Sequence, residues 1–463
     1  MPEQTSIWKK EISFGRRRSK VPATTAPVAT VAPPPPPRVE QNGAVVHETD
    51  ARVVNAREVV LAARAAVEKE QTPAPAQPWW KKEIGVGRPG KAKGAPQPGK
   101  PMLKRDVRFS LPKLSAGSRA GTKLVGLRIG SSQLAAAVVS NNGSAEVQKL
   151  ARASLAPGVV SAGEVRDPEA LGQALKRFFV AYGLPRRNIR LGVATNRIGV
   201  RVIEVPAVDD PKLLGNAIRF KAQEVLPFPL TEAVLDHVIL GETVDTEDGP
   251  LQRVLVVFAQ RELVDAYIDA CKRAGLKLTG IDFDAFALLR ALADQHPTPG
   301  ANHSALVAVS IGHDRTIFAV SDGTTCEFAR VLDWGGANID RAIASALGIS
   351  PEAAAQVKES LAAEDEATEP ARQALHGELQ VLARELLSSL QFYQSRPGSL
   401  DLSEVLLTGG VSQLAGIDDE LRRQLGVPVR IGDPLHAVKE AGKLHKPSRL
   451  ASLAIAVGLG IET

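Results

Sequence analysis

At 463 residues and 44% hydrophobic content, the chain is long enough for two to four domains or one large two-lobed body with a substantial core. Two cysteines, Cys271 and Cys326, exclude a disulfide framework and carry no metal spacing; with no membrane-length apolar run and no apolar leader, a cytosolic location is expected. The net charge of +6 conceals +13 over residues 1–123 and −7 over 124–463, so a basic arm is joined to an acidic body.

That arm implies an anionic partner: a membrane surface, an acidic protein or the body itself. Nucleic acid is not expected, because no recognised binding motif accompanies the charge. Residues 1–123 hold 16 of the 32 prolines, including Pro33 to Pro37, which predicts a disordered, semi-stiff linker. Within it, TDARVVNAREVVLAARAAVEKE (49–70) has good helix formers, Val and Leu three to four apart, and Asp50 as a cap. A lone amphipathic helix is expected there, marginal unless it docks.

The arm also repeats one short pattern: IWKKEISFGR (7–16), WWKKEIGVGR (79–88) and MLKRDVRFS (102–110). Aligned, Trp8, Trp80 and Leu103 share one position, Ile12, Ile84 and Val107 a second, and Phe14, Val86 and Phe109 a third. As a helix, Trp8 and Ile12 share a face; as a strand, Ile12 and Phe14 do, so the spacing does not decide the conformation. Three tethered copies would gain avidity for an apolar groove. Trp beside Lys or Arg also suits a membrane interface, but the acidic residue kept inside each copy favours a protein partner.

From Leu124 the pattern becomes strand, tight turn at Gly130-Ser131-Ser132, strand, Asn-Asn-Gly-Ser turn, strand. DPEALGQALKRFFVAYGL follows as a helix, with Asp167 before Pro168 at its first position, and NIRLGVA as a further strand. The same order returns after residue 304: a strand running into Ile311-Gly312, a second strand, an Asp-Gly turn and a third strand. The helix ANIDRAIASALG, further helices and the strand DLSEVLLTGG complete it. Duplication of this kind predicts two homologous α/β lobes. Two hairpins with glycine turns, one per lobe, form a phosphate clamp, because converging backbone N–H groups meet an anion where no Cβ intervenes. Thr408-Gly409-Gly410, closing a strand and opening a helix, offers a close-approach surface for a flat base.

This order of motifs resembles the actin-like ATPase superfamily, and the details are similar to the PilM family of type IV pilus assembly. GLRIGSSQLAAAVV and VAVSIGHDRTIFAVSDG carry the two phosphate hairpins, and LLTGGVSQLAGIDDEL the adenosine motif. VIEVPAVDDPKLLGNAIRFKAQEVLPFPLTEAVLDHVIL carries the middle. The resemblance implies a two-lobed actin-like (RNase H-like) fold over 124–463. The first lobe would span 124–303 with an inserted subdomain at about 200–280, as in FtsA. The second would span 304–463, its C-terminal helix returning to the first. It also implies ATP or ADP between the lobes and a cytosolic N-terminal peptide of a PilN-like bitopic membrane protein as partner. The protein would then be recruited to the cytoplasmic face of the inner membrane.

The chain departs from the family where the chemistry sits. Arg128 stands where the first phosphate motif has Asp, Ala135 where it has Lys, and Ser310 where the second motif has Asp. Both aspartates that would hold Mg²⁺ and orient the attacking water are absent, so Mg²⁺ and hydrolysis are not expected and no catalytic or metal-ligating residue is assigned. Arg128 either pairs with phosphate directly or pairs with an acidic neighbour. By resemblance the nucleotide contacts are Arg128, Gly130, Ser131, Ser132, Gly312, His313, Thr316, Gly335, Gly336, Lys358, Gly409 and Gly410. His313 and Asp314 read as a solvated pair, and Trp334 as packing between the lobes. The peptide site is carried over to Ile218, Phe220, Gln223, Glu224, Leu226, Pro227 and Phe228. An interaction scaffold is the leading reading. An active ATPase or sugar kinase, an FtsA-like membrane-attached filament former and a type II secretion adaptor are the alternatives.

Overall fold

The computed structural model describes residues 122–462 except 209, 247–248, 293–303, 324, 362–367 and 397. The arm, with its three repeated motifs and the helix expected over 49–70, lies outside the described residues. The first sheet is built on β1 (Thr122–Ile129), which pairs antiparallel with β2 (Gln133–Asn141) and parallel with β6 (Ile189–Val193). β3 (Ala145–Ser154) lies outside β2, followed by two short strands, β4 (Val160–Ser161) and β5 (Glu164–Val165), that pair with each other. Asp167 then starts α1 (Pro168–Ala181) as the sequence expects: its Oδ1 accepts from the backbone N–H groups of Glu169 and Ala170 at 3.0 and 2.9 Å. Leu171, Leu175, Phe178 and Phe179 form the helix face buried against the sheet.

After β6 the chain leaves the lobe. β7 (Gly199–Pro206), α2 (Pro211–Val225), β8 (Ala233–Thr246) and β9 (Gly249–Gln260) make a separate three-stranded sheet, ordered β7-β9-β8, with one helix on it. The insertion closes at Gln260, about twenty residues before the expected boundary. α3 (Arg261–Arg273) packs beside α1, and β10 (Leu278–Phe283) runs parallel to β6, so both belong to the first lobe.

The second lobe repeats the plan. β11 (Ser304–Ile311) pairs antiparallel with β12 (Thr316–Ser321) and parallel with β14 (Asp401–Thr408), with β13 (Cys326–Leu332) and β15 (Val429–Ile431) outside. Read as β3-β2-β1-β6-β10 and β13-β12-β11-β14-β15, the two sheets have the same order and directions. α5 (Gly336–Leu347), α6 (Pro351–Glu359), α7 (Glu369–Gln394) and α8 (Ile417–Leu425) cover the second sheet, and the short β16 (Lys439–Glu440) returns to β3 of the first.

Two helices cross at the centre. α4 (Asp284–Leu292), which ends the first lobe, packs on β11, β12 and β13 of the second. α9 (Ala454–Gly460), which ends the second lobe, packs on β1, β2 and β6 of the first. They touch at Gly458, where a Cβ would stand 1.8 Å from the carbonyl oxygen of Ala287, so only glycine permits this approach. One apolar cluster therefore runs from Leu127 and Leu191 through Phe286 and Leu292 to Leu306 and Ile317. Cys271 and Cys326 are buried and unbridged, and burial pushes the Cys271 thiol up to about 12.

Candidate functional site

The two hairpins close alike. After β1 the N–H of Gly130 donates to the Gln133 carbonyl at 2.9 Å, and after β11 the N–H of Gly312 donates to the Arg315 carbonyl at 2.9 Å. Arg128, next to last in β1, stands between them. Its Nε donates to Asp284 Oδ2 at 3.2 Å, and its Nη2 lies 3.6 Å from where a Cβ on Gly312 would be. The side chains are 11% and 3% exposed, so this ion pair is nearly dry. Of the two partners the sequence left open for Arg128, the structure shows the acidic neighbour.

Asp284 begins α4 and lies against Gly192 of β6, where a Cβ would be 2.1 Å from Asp284 Oδ1. That oxygen has no hydrogen-bond partner. Burial raises the carboxyl to about 6, Arg128 pulls it down through charge and hydrogen bond, and nearby Asp282 pushes it up. Asp282 is itself paired with Arg290. Asp284 was not among the residues singled out from sequence. The one signal for it is IDFD, two aspartates at the buried end of a strand.

The second hairpin is tied into both lobes. Asp314 accepts from the backbone N–H of Ala162 at 2.8 Å, so it holds the first lobe rather than pairing with His313 in solvent. His313 is exposed, 4.0 Å from Asp340. Arg315 pairs with Asp333, which also accepts from Asn196 of the first lobe at 2.9 Å. Thr316 is fully buried and donates to the Trp334 carbonyl at 2.9 Å, so its hydroxyl is not offered to a phosphate. Trp334 packs in the second lobe's own core, with Nε1 donating to Glu378 at 3.0 Å.

Of the remaining nucleotide candidates, Gly335, Gly336 and Lys358 come together on the second hairpin, with Gly409 beside the strand that leads into it. Gly336 donates to the Gly312 carbonyl at 2.9 Å, which places the start of α5 against the second hairpin, and the Ala337 N–H reaches the His313 carbonyl at 2.6 Å alongside Gly335. Lys358 of α6 is 2.5 Å from Asp340 Oδ1 and 3.4 Å from the Gly336 carbonyl. Gly409 passes beside the backbone of Ile311 with φ +92°, and Gly410 has open space where a side chain would be.

The donors do not fit a divalent cation. At the two positions from which carboxylates would reach the ion's waters stand a guanidinium already committed to Asp284 and the buried hydroxyl residue Ser310. A phosphate chain fits better: both glycine turns are formed, Arg128 lies beside Gly312, and Ser131 Oγ in the first turn is buried without a partner.

The peptide candidates separate. Ile218 is fully buried with Leu214 and Ala222 against the inserted sheet, so it is core and not a contact surface. Phe220, 71% exposed, and Gln223 and Glu224 point away from that core, while Leu226 is half-buried at the end of the helix. Pro227 and Phe228 instead line a groove of about 1380 Å³. It is bordered by β7 on one side and β13 on the other, with Phe258, Phe328 and Phe392 among its apolar walls. Among the described residues no strand pairs with the outer edge of either β7 or β13. Phe328 and Phe392, supplied by the other lobe, carry no local motif that would have marked them.

A family model described as Type IV pilus assembly protein PilM matches residues 126–463. A solved structure described as the PilM-PilN type IV pilus biogenesis complex is similar at 27% identity and a TM-score of 0.64, covering 73% of this chain and 98% of that one. More distant likenesses include the ethanolamine utilization protein EutJ from Carboxydothermus hydrogenoformans, at 16% identity and a TM-score of 0.45 over 76% and 92% of the two chains. MreB5 of Spiroplasma citri bound to AMPPNP gives 13% and 0.43 over 73% and 94%.

Proposed function

This chain belongs to the type IV pilus assembly protein PilM family, and on that premise we propose that it is a pilus-assembly adaptor that captures the cytosolic N-terminal peptide of a PilN-like membrane protein. The body has the actin-like ATPase fold. None of the described helices is long and apolar enough to cross a membrane. Capture of a bitopic partner is what would bring the protein to the inner membrane.

The groove between β7 and β13 carries the peptide reading. Two unpaired strand edges offer rows of backbone donors and acceptors, and an extended peptide adds to such an edge while its alternate side chains enter pockets. Phe228 from the insertion and Phe392 from α7 supply the apolar contacts. The solved PilM-PilN complex supports the choice of partner. Fluorescence anisotropy with a labelled PilN-like N-terminal peptide tests the reading. Phe392→Asp, at a position 58% exposed and therefore tolerant, is expected to weaken binding roughly tenfold or more, as loss of an apolar contact and burial of a charge both act against it. Undiminished affinity in Phe392→Asp and Phe228→Asp would exclude this groove.

Hydrolysis is not part of the proposed function. Phosphoryl transfer depends on positioning and charge neutralisation, and Arg128 and Ser310 replace the groups that position metal and water. Phosphate release with excess ATP and Mg²⁺ is expected to stay at the level of a protein-free control; stoichiometric turnover above it overturns the assignment.

A further inference from the structure

We propose that the cleft binds the polyphosphate of a nucleotide without a divalent cation, Arg128 turning from Asp284 to the phosphate while Asp284 takes up a proton from solvent. The cation is already in place. Arg128 sits between the two phosphate hairpins, and a guanidinium presents a planar fork that matches phosphate oxygens. A metal is not needed to neutralise charge where a fixed cation does so.

The cost of using Arg128 falls on Asp284. The carboxyl is buried beneath Arg128, with Oδ1 already unpartnered against Gly192 and Oδ2 held by Arg128 Nε. Withdrawing the guanidinium from an ionised Asp284 would strand a buried charge, whereas a protonated carboxyl left behind is neutral. Proton uptake and phosphate binding are therefore one linked event. An arriving phosphate adds a second negative charge near the carboxyl and pushes in the same direction.

Among the described residues the other cations near Asp284 are already paired: Arg290 with Asp282, and Arg315, which acts with Asp284 on Tyr267, with Asp333. β10, which leads into α4, contributes Asp282, committed to Arg290. α3 contributes Tyr267, whose hydroxyl donates to the Gly163 carbonyl at 3.1 Å. β6 presents Gly192 and α9 presents Leu459, both uncharged. Burial already holds the carboxyl at about 6 with Arg128 still attached, so its removal carries the group further upward.

The sign follows from linkage. Because the bound state has the higher pKa, affinity rises as pH falls and levels off below the free-state value near 6. This inference is independent of peptide capture, and each can fail without the other. The test is calorimetric titration of the full chain with ATP in excess EDTA, between about pH 8 and about pH 6, in two buffers of different ionisation enthalpy. Binding is expected to survive EDTA, to tighten by up to about tenfold per pH unit, and to show proton uptake in the buffer comparison. Asp284→Asn, which keeps the shape of the side chain, is expected to bind more tightly than wild type at the upper end of the range. It should lose the part of the pH slope that does not come from the nucleotide itself. Arg128→Gln is expected to abolish binding in EDTA when compared at about pH 6, where a protonated Asp284 leaves no stranded charge in the variant. Absence of ATP binding in EDTA, or parallel pH profiles for wild type and Asp284→Asn, overturns the proposal.

Discussion

Asp284 is held in its ionisable form at some expense to the fold, and the expense depends on pH. Its folded value, about 6, lies above the ordinary 3.8, because burial outweighs the pull of Arg128. An acid raised on folding contributes stability that is fully present below its unfolded value and lost as pH rises through its folded value. Relative to Asp284→Asn, wild type is therefore expected to lose on the order of 3 kcal/mol of unfolding free energy between about pH 4 and about pH 7. Denaturant titrations of both proteins at the two pH values measure it, and equal differences at both refute it. Arg128 and Ser310 were legible from sequence, since they break a motif at fixed spacing from a glycine turn. Asp284 was not: it meets Arg128 across 156 residues of chain, and only the parallel placement of β1, β6 and β10 brings them together.

At the scale of elements, a local signal was enough wherever it decided the outcome. The Asp167-Pro168 start, the hairpin turns and the duplicated strand order were readable because each is set by neighbours in sequence. The insertion's end was misplaced because α3 has an ordinary amphipathic pattern, and only its packing on α1 assigns it to the first lobe. In α2 the i, i+4, i+8 series Leu214, Ile218 and Ala222 is the buried row, which leaves Phe220 exposed despite its greater apolar surface. Two glycine substitutions in helices separate crowding from propensity. Gly458→Val in α9 forces a side chain into the Ala287 carbonyl, and is expected to cost about 3 kcal/mol or more with a clearly lower melting temperature. Gly377→Ala in α7, an exposed position with no atom within 4 Å of the new methyl, is expected to raise stability by about 0.5–1 kcal/mol. Thermal melts of the two proteins should move in opposite directions; a shared direction would show that the crossing is looser than drawn.

Across the whole molecule, the lobes are joined by polar ties at the rim and around α9, and by one continuous apolar core. Asp314 to Ala162 and Asp333 to Asn196 bridge the rim, while α4 and α9 each lie on the other lobe's sheet. A tether at residue 128 thus adjoins the start of α4, the very helix that lies on the second lobe. Duplication foretold two lobes, but it did not foretell that Phe228 and Phe392, far apart in sequence, would wall one groove.

The crossed helices also set an order of assembly. As the chain leaves the ribosome, the strands around β1 emerge long before residues 454–460, yet those last residues cover their face. The sheet around β1 is therefore expected to close only once α9 is present to cover it. Pulse-labelling hydrogen exchange during refolding is expected to protect β1 and β2 in the same kinetic phase as α9. Protection of those strands in an earlier, separate phase would show that the first half closes unaided.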